Sequence, residues 1–235
     1  MYILDGEIHV WKVPLDAPIE EYERVSCLLS FSERRRSEKF RFEKDRKQYV
    51  LSHGILRKLL GEYLHCDPSL IAFSVTRFGK PYLSKCVLKF NMSHSSNVAL
   101  MAIAMGVDVG IDVEETHADI EYLDLAERFF SQSEYRAILA SPAEDRILSF
   151  YRCWTGKEAL VKAIGEGLSI PFDSFSISVG REASQVIKMN SEQKASTHWT
   201  VRQIDVGRRY RGSLAYEGEE RKVTCLDWNC SNLKL

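Results

Sequence analysis

Three acidic residues and one glycine occupy every second position in one short stretch of this sequence. From residue 107 to 114, aliphatic residues alternate with Asp108, Gly110, Asp112 and Glu114. Successive side chains of a β-strand point to opposite faces, so the acids would share one face of a strand. Carboxylates this close repel one another unless a cation or a basic ligand neutralises them. Because carboxylate oxygens suit Mg²⁺, the pattern indicates a magnesium site, with a solvated edge strand as the alternative.

A second candidate group, at residues 154–162, has the spacing of a helix. Glu158 and Lys162 would share one helix face, with Trp154 one turn earlier. Gly165 and Gly167 predict the end of this helix. A Glu to Lys pair at this spacing is commonly a surface ion pair, so taken alone the group indicates a solvated helix face.

A third group combines a turn with polar residues at the end of a strand pattern. Gly79 and Pro81 predict a turn that presents Lys80. Ser93 and His94 follow the apolar start of the next strand pattern and are suited to contact a phosphate. The alternative for His94 is a structural histidine with no ligand.

Basic residues are concentrated in the stretch 34–47, diluted by three acids. The basic residues are Arg34, Arg35, Arg36, Lys39, Arg41, Lys44, Arg46 and Lys47. Such a run forms a solvated helix face, a nucleic-acid interface or a phosphate site. Because the formal net charge of the whole chain is -1, bulk attraction to DNA or RNA is weak. The balance favours a site for one small polyphosphate, and we expect no nucleic-acid partner.

The elements that must position these groups occur twice along the chain. Ser30 with Glu33 and Ser131 with Glu134 both have the spacing of a capping box that opens a helix. A helix pattern at 56–64 matches one at 160–168, and a strand pattern at 73–75 matches one at 175–177. The three matches lie 101, 104 and 102 residues apart. The sequence therefore predicts an internal duplication, although capping boxes and amphipathic helices are common enough for chance to be the alternative.

The repeat predicts an α+β fold of two similar, pseudo-symmetric α/β lobes. In each unit a capped helix precedes a longer helix, and strands follow. We place the lobes at residues 1–106 and 107–235, with the metal-binding motifs in the second. No Pro-rich or Gly/Ser-rich linker divides them, so we expect tight packing and an active site at the lobe interface.

Composition narrows the class of protein. A chain of 235 residues that is 45% hydrophobic can bury one substantial core or two small ones. The longest apolar stretch, 98–107, is too short to span a bilayer, and no opening signal segment is visible. The six cysteines have no zinc-ligand spacing and are expected to be reduced: Cys27, Cys66, Cys86, Cys153, Cys225 and Cys230. We expect a cytoplasmic monomer without membrane contact.

With these groups in order, the sequence resembles the Sfp-type 4'-phosphopantetheinyl transferases over most of its length. The two most diagnostic motifs are Gly-Ile-Asp-Val-Glu at 110–114 and Trp-Thr-Gly-Lys-Glu-Ala-Leu-Val-Lys at 154–162. Three more matches are Gly-Lys-Pro at 79–81, Asn-Met-Ser-His-Ser at 91–95 and Gly-Leu-Ser-Ile-Pro at 167–171. The family has two pseudo-symmetric α/β lobes with coenzyme A between them, which agrees with the duplication.

The resemblance implies a role for each matching residue. Asp112, Glu114 and Glu158 would bind Mg²⁺ at the pyrophosphate of coenzyme A. Lys162 would contact the same phosphates, and Glu158 and Lys162 would be the catalytic pair. The remaining ligands of coenzyme A would be Lys80, Ser93 and His94 at the nucleotide end, together with Arg36 and Arg46. Many relatives have Asp-Arg-x-Arg where this chain has Asp-Arg-Lys-Gln at 45–48, so its last basic contact is missing.

The reaction implied is transfer of the phosphopantetheine arm to a serine of an apo acyl, peptidyl or polyketide carrier protein. The serine hydroxyl would attack the β-phosphate of coenzyme A and release 3',5'-ADP, with Glu158 as the best candidate base. Two rival functions stay open on the residues alone. One is a different magnesium enzyme, such as a phosphohydrolase or a nucleotidyltransferase. The other is a non-catalytic module that docks carrier proteins or nucleic acid through residues 34–47.

Overall fold

The computed structural model describes residues 1–178, 184–189, 198–218 and 220–229. The α-helices in this part of the chain are α1 (Ile19–Ser26), α2 (Phe31–Ser37), α3 (Glu43–Leu64), α4 (Tyr122–Phe129), α5 (Gln132–Ala140) and α6 (Arg146–Ile164). The strands are β1 (Ile8–Pro14), β2 (Phe73–Val75), β3 (Pro81–Leu83), β4 (Leu88–Ser95), β5 (Val98–Met105), β6 (Val109–Glu115), β7 (Phe175–Ile177), β8 (Ser184–Met189), β9 (Trp199–Ile204), β10 (Tyr210–Glu217) and β11 (Val223–Asp227). The fold is mixed α+β, as predicted, and none of the helices described has the length and apolarity that a bilayer crossing requires.

Two main sheets and one hairpin organise these strands. The first sheet has the order β11-β1-β5-β4, the second has the order β6-β10-β9-β8-β7, and β2 pairs only with β3. Strand β11 runs parallel to β1, with Val10 opposite Cys225. The last strand of the predicted second lobe, 107–235, therefore lies in the sheet of the first lobe.

The two sheets pack face to face, and one long helix covers the outer face of each. Leu100 and Ala102 of β5 point into the apolar layer between the sheets, where they meet Ile111 and Leu214. The alternate residues of β5, such as Met101, pack instead against α3. On the second sheet, α6 packs over β9 and β10. Because β5 is buried on both faces, its sequence is a continuous apolar run, which explains the stretch 98–107.

Both predicted capping boxes are confirmed. The backbone amide of Glu33 donates to the Ser30 hydroxyl, and the Glu33 carboxylate accepts from the backbone amide of Ser30 at 2.7 Å. Ser131 and Glu134 make the same reciprocal bonds at the start of α5. Each short helix therefore begins where the sequence predicts.

Each long helix contributes one buried cation to the acid of its neighbouring capping box. The Arg57 guanidinium lies 2.7 Å from the Glu33 carboxylate and also donates to the carbonyls of Pro68 and Ile71. The Lys157 ammonium lies 2.9 Å from the Glu134 carboxylate, and its two further acceptors are the carbonyls of Phe172 and Phe175. In both lobes one buried cation thus joins the long helix, the capped helix and the segment before the next strand.

The two buried cations and the two helix ends have the same spacing, which bears on the predicted repeat. The C-caps of α3 and α6, His65 and Gly165, are both left-handed and lie 100 residues apart, as do Arg57 and Lys157. At that offset Lys162 would align with Glu62 rather than with Lys58. The predicted offset of 104 differs by about one helical turn. Because residues four apart share a helix face, the apolar pattern fits both registers equally well.

Candidate metal and phosphate site

The candidate site lies where β4 of the first sheet runs beside β6 of the second. Side chains at every second position of β4 form hydrogen bonds to β6. These bonds take the place of a regular backbone ladder between the two strands. The bonds are from the amide of Ile111 to Asn91 at 2.9 Å, from Ser93 to Asp112 at 2.8 Å, and from Ser95 to Glu114 at 2.9 Å. The predicted 91–95 motif and the predicted acidic strand are therefore adjacent.

Gly110 allows helix α6 to cross directly over β6. A Cβ atom at Gly110 would lie 2.0 Å from the carbonyl oxygen of Ala159 and 2.3 Å from the amide nitrogen of Ala163. No side chain fits in that space, so only glycine permits the contact. The close crossing brings the Lys162 ammonium to 2.6 Å from the Asp112 carboxylate. The two predicted groups of charged residues thus form one site.

Asp112 has a buried carboxylate oxygen without a partner. The side chain is buried, and its Oδ1 accepts from Lys162 and from Ser93. No hydrogen-bond partner of Oδ2 is found in the described part of the chain. Burial raises the pKa of Asp112, while the Lys162 charge opposes that rise. A buried acceptor left unpaired is unfavourable, so this oxygen fits a further cation.

Glu114 and Glu158 add negative charge around Asp112, and the three carboxylates together form the acid cluster. Burial raises the pKa of Glu114, and the charge of Asp112 raises it further. The pKa of Glu158 is raised by the same two causes in the same order. Within the ranges described, no three His, Cys, Asp or Glu side chains converge closely enough to form a metal centre by themselves. The ammonium of Lys162 is instead the nearest cation that the structure shows on Asp112, and the magnesium site stays a prediction.

Ser93 and His94 lie on β4, beside this cluster. The Lys162 ammonium donates to the Ser93 hydroxyl at 3.1 Å. Burial lowers the pKa of His94, and the positive charge of Lys162 lowers it further, whereas Asp45 at the start of α3 raises it. His94 therefore lies within electrostatic reach of both the acid cluster and the basic segment.

Lys80, a predicted contact of the nucleotide end, bonds to two backbone carbonyls in this structure. The predicted turn is present, with Gly79 at a φ of 88°. The amine of Lys80 donates to the carbonyls of Ala163 at 2.8 Å and Val109 at 3.2 Å. Burial lowers the pKa of this amine to about 8.

Arg36 and Arg46 of the basic segment 34–47 are both exposed. The Arg36 guanidinium lies over the ring of Tyr49, 5.8 Å from its centroid. Arg46 lies 3.4 Å from the Glu43 carboxylate in the first turn of α3. No contact between Arg46 and the acid cluster is recorded in the part of the chain described.

Sequence reasoning missed an apolar cavity beside Glu114. Its volume is about 200 Å³, and it is lined by Glu114, Ile120, Leu125, Phe150, Tyr151 and Trp154. Trp154 was identified on the face of Glu158, but the wall formed by Ile120 and Leu125 comes from the segment at the start of α4. That segment carries no motif, so only the tertiary fold reveals the cavity.

The buried Cys153 offers no competing catalytic nucleophile. Cys153 is buried in the second core, where burial raises the pKa of its thiol well above the usual value. Such a thiol is a poor nucleophile. Cys27, Cys66, Cys86 and Cys225 are free thiols, and Cys230 lies outside the described residues.

Known proteins match both halves of the chain. The 4'-phosphopantetheinyl transferase superfamily matches residues 108–215, and the family described as 4'-phosphopantetheinyl transferase, N-terminal, matches residues 16–105. The 4'-phosphopantetheinyl transferase HetI of Nostoc sp. is 37% identical over 71% of this chain and 72% of its own length. The 4'-phosphopantetheinyl transferase Sfp of Bacillus subtilis is 31% identical over 77% of this chain and 80% of its own.

A more distant likeness exists among solved structures. The holo-acyl-carrier-protein synthase of Thermotoga maritima is 25% identical, with a TM-score of 0.36 over 48% of this chain and 65% of its own. The family assignment depends on the curated relatives, because each of the two is more than 30% identical and more than two thirds covered. The chain therefore belongs to the Sfp-type 4'-phosphopantetheinyl transferases, enzymes that transfer the phosphopantetheine group of coenzyme A to carrier proteins.

Proposed function

We propose that this chain transfers the 4'-phosphopantetheine arm to a serine of an apo acyl, peptidyl or polyketide carrier protein and releases 3',5'-ADP. The observation that carries the proposal is the acid cluster at the junction of β4, β6 and α6. It combines an unpartnered oxygen of Asp112 with the Lys162 ammonium 2.6 Å from the same carboxylate. A site with buried acids and one lysine ammonium suits a ligand that brings both a metal and phosphate groups.

Mg²⁺ is the proposed cofactor, and Asp112, Glu114 and Glu158 are its proposed ligands. Each of the three has a pKa raised by burial, so negative charge in this cluster is under-compensated. When bound, the ion would offset the charge that develops on the phosphoryl oxygens. The hard oxygen donors favour this ion over a metal that prefers thiolate ligands.

The residues of the chain have three tasks in this reaction. Lys162 would exchange its contact with Asp112 for one with the pyrophosphate, while Ser93 and His94 hold phosphate oxygens nearby. The carrier serine oxygen bonds to the β-phosphorus, and the bond from that phosphorus to the bridging oxygen of the leaving 3',5'-ADP breaks. Glu158 would accept the serine proton, because its raised pKa makes it a stronger base than an ordinary carboxylate.

The apolar cavity beside Glu114 is the proposed place for the pantetheine arm. It opens next to the acid cluster and is lined mainly by aromatic and aliphatic side chains, Trp154 among them. An arm lying there would leave the β-phosphate at the acids and the nucleotide on the side of His94. Arg36 and Arg46 remain proposed contacts of the nucleotide end on the resemblance alone, whereas the amine of Lys80 is engaged by the carbonyls of Ala163 and Val109.

We also infer that the lobes 1–106 and 107–235 arose by duplication, with the active site between them. The two buried cations, Arg57 and Lys157, support this origin because each bonds a capping-box acid and two carbonyls in the same way. One chain carries every proposed ligand of the metal and of coenzyme A, so a monomer is sufficient. We propose that this monomer is cytoplasmic. No nucleic acid or membrane is required.

The direct test is incubation with coenzyme A, Mg²⁺ and a panel of apo carrier proteins, read by intact mass. We expect a carrier to gain the mass of one phosphopantetheine arm, with 3',5'-ADP formed in equal amount. Omission of the metal should abolish the gain. Release of inorganic phosphate from nucleotides without any carrier would instead favour the rival phosphohydrolase.

Lys162→Ala is expected to reduce turnover far more than Lys58→Ala. Lys162 contacts Asp112 in the acid cluster, whereas Lys58 lies on α3, away from β6. Loss of one electrostatic stabiliser typically lowers kcat by ~10² to 10³. The measurement is kcat per mole of folded enzyme with saturating coenzyme A and carrier. Equal and mild effects of the two substitutions would contradict a single asymmetric site.

The double variant Arg36→Ala, Arg46→Ala is expected to raise the KM for coenzyme A more than it changes the response to carrier. Both side chains are exposed, and the ion pair of Arg46 with Glu43 is a weak surface pair, so a phosphate could compete for these guanidinium groups. Binding to duplex DNA should be weak at physiological salt, because the net charge is -1. The measurement is titration of coenzyme A and of duplex DNA against salt, with the wild type and with the double variant. Tight DNA binding that the variant abolishes, with unchanged coenzyme A kinetics, would overturn the assignment.

A further inference from the structure

Lys80 crosses from the first lobe to the second. It stands at the end of the turn between β2 and β3, a hairpin outside both main sheets. Its amine donates to the carbonyl of Ala163 in the last turn of α6 and to the carbonyl of Val109 at the start of β6. The last four carbonyls of a helix have no amide partner within the helix. Lys80 therefore supplies a donor that α6 cannot supply for itself.

The turn holds the Lys80 backbone in a defined position. The amide of Thr76 donates to the carbonyl of Lys80 at 2.9 Å, and the Lys80 amide donates to the Thr76 hydroxyl at 3.1 Å. Gly79 adopts a positive φ of 88°, which favours glycine. The side chain is thus directed at the helix end by a closed hairpin rather than by a loose loop.

The helix end is shaped to receive this side chain. Gly165 closes α6 in the left-handed conformation, and a Cβ atom there would lie 3.0 Å from the Cδ atom of Lys80. Cationic groups are favourable at the carboxyl end of a helix, where the macrodipole is negative. With a pKa near 8, the amine is largely protonated at neutral pH. Contact, charge and hydrogen bonding all direct Lys80 to the end of α6.

The two carbonyl acceptors belong to the elements that carry the acid cluster. Ala163 adjoins Lys162 on α6, and Val109 lies three residues before Asp112 on β6. We propose that Lys80 is a positioning residue that fastens α6 to β6 and thereby sets the distance between Lys162 and Asp112. A nucleotide contact by the same amine would require it to leave both carbonyls.

The effect on turnover rests on the proposed function, but the effects on structure do not. We would therefore compare Lys80→Met, which keeps the stem and removes the donors, with Lys89→Met as a matched control. Lys80 and Lys89 both line a cavity of about 320 Å³ at the lobe junction. Unlike Lys80, Lys89 is partly exposed, and its amine pairs with Asp108 at 3.6 Å. Lys80→Gln, which keeps a neutral donor, replaces the methionine variant if that variant does not fold.

Three measurements separate the roles. Hydrogen exchange of the backbone amides at 161–165 should be faster in Lys80→Met and unchanged in Lys89→Met. The kcat of Lys80→Met should fall by ~10- to 100-fold through misplacement of the site, with the KM for coenzyme A nearly unchanged. The Kd of 3',5'-ADP, measured by calorimetry, should stay within a factor of about two to three of the wild-type value, below the tenfold change that 1.4 kcal/mol gives.

The opposite pattern would overturn the proposal. If Lys80 is a nucleotide ligand, Lys80→Met weakens 3',5'-ADP binding by tenfold or more and leaves exchange at 161–165 unchanged. The positioning role would also be excluded if Lys80→Met showed both unchanged hydrogen exchange at 161–165 and wild-type kinetics. Suppose instead that exchange is faster in Lys80→Met but neither the wild type nor any variant modifies a carrier. That result would support the fastening of α6 and contradict the proposed function, so failure of one proposal can be told from failure of the other.

Discussion

Asp112→Asn is expected to lower turnover by ~10² to 10³ while the protein stays folded. The substitution keeps the size of the side chain and removes the negative charge that attracts both Lys162 and the proposed metal. At the position of the unpartnered Oδ2, asparagine would place either a neutral carbonyl oxygen or an NH2 group. Both bind a cation more weakly than a carboxylate oxygen does. The measurement is kcat with coenzyme A, carrier and a Mg²⁺ titration, together with the thermal midpoint of each protein. A raised requirement for Mg²⁺ should accompany the lower kcat.

Asp108→Asn is the matched control for this prediction. Asp108 belongs to the same sequence alternation, but it is half-exposed and pairs with Lys89 at the surface. Its loss should change turnover little, because exposed ion pairs contribute little to stability or geometry. Glu158→Gln is expected to behave like Asp112→Asn. Retained activity in both site variants, with Mg²⁺ still required, would mean that the ligands are wrongly assigned.

Local signals in the sequence predicted the helix starts and the shared face of the acids. The capping boxes need only Ser30 with Glu33 and Ser131 with Glu134, so short-range spacing is sufficient. The alternation at 107–114 predicted that Ile111 lies in the core while its acidic neighbours share the opposite face. These features depend on residues within one turn or one strand, and their physics is local.

Other features depend on contacts that no local pattern encodes. The parallel pairing of β11 with β1 joins segments more than 200 residues apart, so the boundary at residue 106 could not anticipate it. The destination of Lys80 is the carbonyl of Ala163 in the other lobe, which depends on how the hairpin packs. The sequence could not fix the register of the two long helices, because a shift of one turn preserves the apolar face. The offset of 100 residues is visible only in the structure, through the C-caps of the helices and the buried cations Arg57 and Lys157.

Lys157 is expected to be a large contributor to the stability of the second lobe, although it belongs to a motif that also carries the site. Its side chain is fully buried, and its only charge partner in the described structure is Glu134, at 2.9 Å. Removal of one partner of a buried ion pair leaves an uncompensated charge and costs about 3–5 kcal/mol. We expect Lys157→Met to lower the free energy of unfolding by that amount, measured by chemical denaturation.

A double-mutant cycle measures the interaction of Lys157 with Glu134 apart from their other contacts. Glu134→Gln keeps the size of the side chain and most of the capping geometry while removing the charge that Lys157 neutralises. The double variant Lys157→Met, Glu134→Gln should therefore recover part of the stability lost in Lys157→Met, because no buried charge remains. Arg57→Met in the first lobe should show a loss of the same order, since Arg57 contacts Glu33 and two carbonyls in the same arrangement. Strict additivity of the two second-lobe substitutions, or a loss below about 1 kcal/mol, would show that the ion pair is not what holds α5 and the segment before β7 against α6.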